Sequence, residues 1–220
     1  YKKEMILRVL EICSSVLNKK NVYVATDNKK IKKFVEVNKF NAIMTSPNCP
    51  TGTDRIAEAN NKIKSKFIIN VQGDEPTIKK TDIKKIIDAK KKFPKHVICG
   101  YTAISKKNNE KNTNVPKVVL NNKSELVYIS RSVIPGKKEI KKKINYLKQV
   151  CMYAFNNYQL KKFKDFGKKS NLEKLEDIEI LRFFELGIPI KMILLSKSSI
   201  AVDTKSDIKI VENFLKKNKR

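Results

Sequence analysis

Apolar residues along this chain alternate between two rhythms. Short, nearly continuous apolar runs read as buried strands, and stretches with apolar residues three and four apart read as helices. Over residues 5–17, Ile6, Val9, Leu10 and Cys13 share one stripe, which predicts a helix. Residues 21–26 predict a short strand, after which Asp27 is placed to cap a helix ending at Val37. Ala42-Ile43-Met44 predicts a second strand, then a loop bearing Pro and Gly, then a helix over 55–63 with Thr53 or Asp54 as its cap. Residues 67–71 are apolar on both faces, as central parallel strands are, and stop abruptly at Gln72-Gly73-Asp74-Glu75-Pro76. A helix over 83–91 and a strand over 97–104 follow. The second half predicts a hairpin, 116–120 and 125–130 around Asn121-Asn122-Lys123, then a strand at 149–155 and a helix from about 158. An acidic helix over 172–186, a strand over 190–195 and a closing helix over 207–217 complete the pattern.

Strands alternating with helices predict an α/β layered fold with a mostly parallel sheet. The 220 residues carry no repeat and no low-complexity linker, so a single domain, 1–220, is expected. No apolar run approaches the roughly 18 residues of a membrane span. The first residues lack the apolar core of a secretory signal, so a cytoplasmic protein without membrane insertion is expected.

The net charge of +27 raises the possibility of a polyanion partner. The excess is mostly lysine spread through nearly every polar stretch, as at 106–109 and 137–143, and no aromatic residues interleave with it as a stacking platform. No dedicated nucleic-acid partner is therefore expected, and a basic polyanion or nucleic-acid binder is the non-enzymatic alternative. Four scattered cysteines without a CxxC pair, and one histidine, give a zinc cluster almost no material.

Asp74 stands where ligands collect in open α/β sheets, beyond the carboxyl end of a buried strand. A carboxylate there, held between Gly73 and Pro76, is aimed for a divalent metal; capping of the turn is the alternative. Asn70 to Pro76 resembles the metal-bearing motif of the 3-deoxy-manno-octulosonate (Kdo) cytidylyltransferases, and it has company in the family's order. Ala25-Thr26-Asp27 resembles the strand-end ATD, Thr51 to Arg55 the SGT(E/D)R loop, and Pro116 to Val119 with Ile129 to Pro135 the KVV and SRxxIP segments. Leu172 to Glu176 with Leu181-Arg182 resembles the LExxE helix, and Val202-Asp203-Thr204 with Asp207 the VDTxxDL ending.

The resemblance implies a three-layer, Rossmann-like nucleotidyltransferase fold with a β-hairpin subregion for dimerisation, and a homodimer. It implies transfer of CMP from CTP to the anomeric hydroxyl of an acidic octulosonate, releasing pyrophosphate, in lipopolysaccharide biosynthesis, with Mg2+ as cofactor. By that similarity Asp74 and Asp203 hold the metal and carry catalysis, while Thr53 and Arg55 contact the nucleotide. Gln72, Arg131, Gln149, Tyr153, Glu173 and Glu176 line the sugar pocket. Arg131 offers a planar fork for a carboxylate, and Glu173 and Glu176, three apart on a helix, share one face. Bland alternatives stand beside three of these: a helix cap for Asp203, a surface salt bridge for Arg55, and a solvated helix face for the two glutamates.

Two departures from the family pattern stand out. The chain enters the pattern about thirty residues late, without the first strand and nucleotide loop, which predicts a raw sheet edge and little activity for the chain as it stands. Gln149, Cys151 and Asn156 occupy positions where the family has His, Gly and Arg. An amide cannot titrate near neutrality as a histidine does, which leaves the sugar open between Kdo and a variant such as 8-amino-Kdo. A cytidylyltransferase for sialic-acid-like sugars, and a degenerate inactive copy, are the remaining alternatives.

Overall fold

The computed structural model describes residues 3–104, 110–139, 144–196, 200–202 and 204–217. Helix α1 (Met5–Ser14) buries Leu7, Val9 and Leu10. Strands β1 (Tyr23–Thr26) and β2 (Asn41–Met44) pair in parallel around α2 (Lys29–Val37), with Tyr23 opposite Asn41 and Thr26 opposite Met44. The cap of α2 is Asn28, one residue later than expected, because its Oδ1 accepts the N–H groups of Lys30 and Ile31 at 2.8 and 3.3 Å. Helix α3 (Gly52–Ile63) starts earlier than expected: Thr51 is its cap, accepting the Asp54 N–H at 3.2 Å and donating its hydroxyl to Asp54 Oδ2 at 2.7 Å.

The larger sheet holds β3 (Phe67–Val71), β4 (Val97–Ala103), β5 (Lys117–Leu120), β6 (Leu126–Ser130), β7 (Leu147–Asn156) and β8 (Ile190–Leu194). Its order is β6-β5-β7-β4-β8, with β3 also paired to β7. Strand β7 is antiparallel to β3, β4 and β5, and β8 is parallel to β4, so β3, β4, β5 and β8 run one way and only β6 and β7 run back. Because β4 flanks β7 along one edge, β3 and β5 share the other. Helices α3, α5 (Asn157–Asp165) and α7 (Ile180–Glu185) pack Ala57, Leu160, Phe163 and Phe183 on one face of this sheet. On the opposite face α4 (Lys80–Lys92) packs Ile83, Ile86 and Ala89, with Ile12 of α1 against them, and the result is three layers. Helix α8 (Lys205–Lys217) closes the chain.

The acidic helix expected over 172–186 is two helices. Asp177 takes a left-handed conformation, φ 49°, and separates α6 (Asn171–Glu176) from α7. Asparagine and aspartate tolerate that region, and no apolar pattern reports such a break.

The two sheets do not touch edge to edge. Among the described residues β1 pairs only with β2 and β3 only with β7. An apolar cavity of about 520 Å³ lies between them, lined by Tyr23 and Ala25 of β1, Ile68 of β3, Ile56 and Ala59 of α3, and Ile87 of α4. The edge of β3 that faces this cavity is thus unpaired among the described residues, a raw sheet edge. It explains why β3, apolar on both faces, leaves Phe67 exposed and most of its residues only half-buried.

Lys90 borders that cavity, yet its ammonium is buried and donates to the carbonyls of Pro94 and His96 and to Gln159 Oε1 at 3.1, 2.7 and 2.8 Å. No carboxylate faces it in those bonds, and burial pulls its pKa down to about 8. Between that value and the ordinary lysine value of about 10.4 the unfolded chain holds this proton more tightly, so stability rises with pH across the window. Denaturant melts at pH 7.5 and 9.5 are expected to show a larger gain in the parent than in Lys90→Met. Equal gains would remove the assignment.

Candidate active site

The carboxyl end of β3 leads into the loop Gln72-Gly73-Asp74-Glu75. The loop is closed by the Glu75 N–H on the Gln72 carbonyl, 3.3 Å, and the Ile78 N–H on the Glu75 carbonyl, 3.3 Å. Gly73 is tight against α1: a Cβ there would sit 3.2 Å from Ile6 Cδ1. Asp74 is half-buried at the strand end. Its carbonyl accepts the Val202 N–H at 2.9 Å, and Thr77 Oγ1 accepts the Ile200 N–H at 2.7 Å, so the segment before α8 is tied to this loop. Asp203 itself lies outside the described residues.

On the nucleotide side of the expected site, Arg55 reaches back to the ends of β1 and β2. It donates to Thr45 Oγ1 at 2.6 Å and pairs with Asp27 at 3.1 Å. The salt bridge held as its alternative is therefore present. Thr53 is buried and its N–H donates to Glu179 Oε2 at 2.9 Å.

On the sugar side, Gln149 and Tyr153 of β7 are buried and bonded to each other, Nε2 donating to the phenol oxygen at 3.1 Å. Register places Tyr153 opposite Asn70 of β3, two residues from Gln72. Burial, with Cys151 and Glu179 nearby, pushes the Tyr153 phenol well above its ordinary value. Burial also pushes the Cys151 thiol up to about 12, reinforced by Glu75, Glu179 and Asp74, which marks it as an inert neighbour of the Asp74 loop.

The structure gives Arg131 work at home. Its Nε, NH1 and NH2 donate to the carbonyls of Glu176, Thr113 and Asp177 at 2.5, 2.9 and 3.0 Å. Of the five donors of a guanidinium, these bonds use three. Glu176 holds the same arm from behind, accepting the Ser130 hydroxyl at 2.5 Å and the Arg131 N–H at 2.8 Å. Glu173 shares helix α6 with Glu176 but is turned inward: it is 1% exposed, and its carboxylate meets Arg182 at 2.7 and 2.8 Å. The solvated-face alternative fails for Glu173, and an inward carboxylate with both oxygens engaged is not open to a ligand.

Glu179 escaped the sequence reading. It accepts the Thr53 N–H, and among the described residues its buried Oε1 has no hydrogen-bond partner. Burial pushes its carboxyl pKa up, partly offset by Thr53 and Thr51. Only its position, three residues after Glu176 and past a hidden helix break, could have drawn attention to it.

The residues named for the site thus lie at or reach the ends of β1, β2 and β3, with Gln149 and Tyr153 on β7 and Arg131 just beyond β6. A carboxylate loop, a Thr-Gly-Thr turn at a helix start and an arginine arm suit gathering and orienting phosphate and sugar groups. The comparisons agree with that class. A family model for cytidylyltransferases matches residues 2–211, and the chain belongs to the cytidylyltransferase family.

Within it, the chain is similar to 3-deoxy-manno-octulosonate cytidylyltransferase of Thermodesulfovibrio yellowstonii, 38% identical over 226 residues, covering 97% of this chain and 88% of the relative. It is also similar to 8-amino-3,8-dideoxy-manno-octulosonate cytidylyltransferase of Shewanella oneidensis, 35% identical with the same coverage. A solved CMP:2-keto-3-deoxy-manno-octonic acid synthetase complexed with CTP superposes with a TM-score of 0.90 at 31% identity, over 98% of this chain and 89% of that one. A glucose-1-phosphate thymidylyltransferase of Bacillus anthracis, 9% identical with a TM-score of 0.68, shares the fold. No helix among the described residues is long and apolar enough to cross a membrane.

Proposed function

We propose that the chain transfers CMP from CTP to the anomeric hydroxyl of 3-deoxy-manno-octulosonate or its 8-amino form, releasing pyrophosphate, for lipopolysaccharide assembly in the cytoplasm. The observation that carries this reading is the near full-length likeness to relatives of that name, with the Asp74 loop at the end of β3.

Mg2+ suits the donor set. Among the described residues no cluster of three or more His, Cys, Asp or Glu could hold a metal. Magnesium asks for less: one or two carboxylates, with substrate phosphates and waters completing its shell. Asp74 supplies one such carboxylate, and Asp203, joined through the chain to Val202 beside Asp74, is proposed as the other. The ion, when bound, would neutralise phosphate charge and polarise the reacting oxygens. The protein's own part is to hold the reactants. Thr53 and Arg55 orient the nucleotide, while Gln72, Arg131, Gln149 and Tyr153 bind the sugar acid, with Glu176 fixing the arm that carries Arg131. In the proposed homodimer the hairpin makes the contact, supported by the exposed Val127 of β6 and by Phe184, edge-on to Tyr128.

The test is pyrophosphate release by the protein expressed from its full reading frame, with CTP, Mg2+ and each sugar. Release that needs both metal and octulosonate is expected. Release without sugar, or none with either sugar, rejects the reading. Equal rates with both sugars would count against a preference for the 8-amino form.

A further inference from the structure

The side chains proposed for the nucleotide and those proposed for the sugar sit on different elements, yet a chain of buried polar contacts joins them. Asp54 lies in the first turn of α3, between Thr53 and Arg55, and its two oxygens accept from Arg182 NH1 and NH2 at 2.9 and 3.1 Å. Arg182, on α7, passes the link on, donating from Nε and NH2 to Glu173 of α6 at 2.7 and 2.8 Å. One turn further along α6, Glu176 grips Ser130 and Arg131. Glu173 also accepts the Ser170 N–H at 3.0 Å, which locks the start of that helix.

Arg182 is the hub. It is fully buried, its NH1 donates again to the Phe163 carbonyl at 3.2 Å, and its guanidinium lies 3.6 Å from the centroid of the Phe163 ring. All five guanidinium donors are thereby engaged. Burial disfavours its charge, but Glu173 and Asp54 more than offset this and hold the pKa above the ordinary arginine value. A contact this fully determined leaves α3 and α6 almost no freedom to shift against each other. Nothing in the proposed chemistry requires a buried arginine here, because Arg182 cannot reach solvent or a ligand.

We propose that Arg182 is a positioning residue that sets the nucleotide-side turn of α3 against the sugar-side arm Ser130–Arg131, so that each binding site depends on groups belonging to the other. The inference rests on the functional reading above. Its signature is a crossed effect. Glu173→Gln, on the sugar side, is expected to weaken CTP binding on the order of 5- to 10-fold, and Asp54→Asn, on the nucleotide side, to weaken octulosonate binding by a similar factor. The double variant should bind no worse than the weaker single variant, because both changes cut the same link.

Calorimetric titration of CTP and of the octulosonate, each separately and with Mg2+ present, into the full-reading-frame parent and variants reads this directly. Near-ultraviolet circular dichroism confirms the fold of each variant. Should a carboxamide variant fail to fold, Arg182→Lys, which keeps the charge and loses the fork, gives the same readout. Folded variants whose cross-site affinities stay within about twofold of the parent overturn the inference and leave the functional reading standing. A parent that binds neither ligand overturns the functional reading, and the inference with it.

Discussion

Replacing Asp74 by asparagine is expected to lower CMP transfer about 10³-fold while leaving the fold intact, a loss worth roughly 4 kcal/mol of transition-state stabilisation. The substitution keeps the shape of the side chain, and the Asp74 carbonyl that accepts the Val202 N–H is untouched. What changes is one negative charge at the end of β3. The sign of the effect on CTP is the decisive part. A carboxylate that only closes a turn repels a triphosphate, so neutralising it would leave CTP binding unchanged or improve it. A carboxylate that holds a divalent cation draws the triphosphate in, so neutralising it weakens CTP binding and raises the Mg2+ concentration needed for half-maximal rate. Tighter CTP binding in Asp74→Asn, with turnover within tenfold of the parent, would end the metal assignment.

Much of this site was legible because its residues sit where chain pattern changes abruptly. Asp74 follows a continuous apolar run and Thr51 to Arg55 open a helix, and such punctuation survives in a single sequence. The α/β alternation was equally legible, down to the hairpin of β5 and β6. The illegible parts are those decided by tertiary partners. Glu173 and Glu176 read as twins on one face, and the fold separates them: Asp177 breaks the helix, and Arg182 draws Glu173 into the interior while Glu176 faces Ser130. Arg131 read as a free fork, but carbonyls contributed by Thr113, Glu176 and Asp177 take three of its five donors. Capping shows the same limit at smaller scale, since Asn28 took the place expected of Asp27 once Asp27 had Arg55 as a partner. Local pattern names the residues that can act, and long-range partners decide which way they face.

The second large effect concerns stability. Arg182→Met is expected to cost about 3–5 kcal/mol, because it strands the carboxylates of Asp54 and Glu173 in the interior without their shared cation. For a chain of this size that corresponds to a fall in melting temperature of roughly 6–20 °C. Methionine keeps only the aliphatic part of the lost side chain and ends near the position of Nε, so the space the guanidinium filled against Phe163 adds a cavity to the charge penalty. Solvent cannot soften it, since Arg182 is 0% exposed and Glu173 1%. Exposed pairs behave otherwise. Lys161 and Asp165, paired at 2.7 Å on the surface of α5, are expected to shift the melting temperature by no more than a degree or two when Lys161 is replaced by methionine. The contrast is checked by thermal melts of the two variants beside the parent. A small change in Arg182→Met would mean that water or a rearranged partner reaches the two carboxylates, and the rigid coupling of α3 to α6 would lose its physical basis.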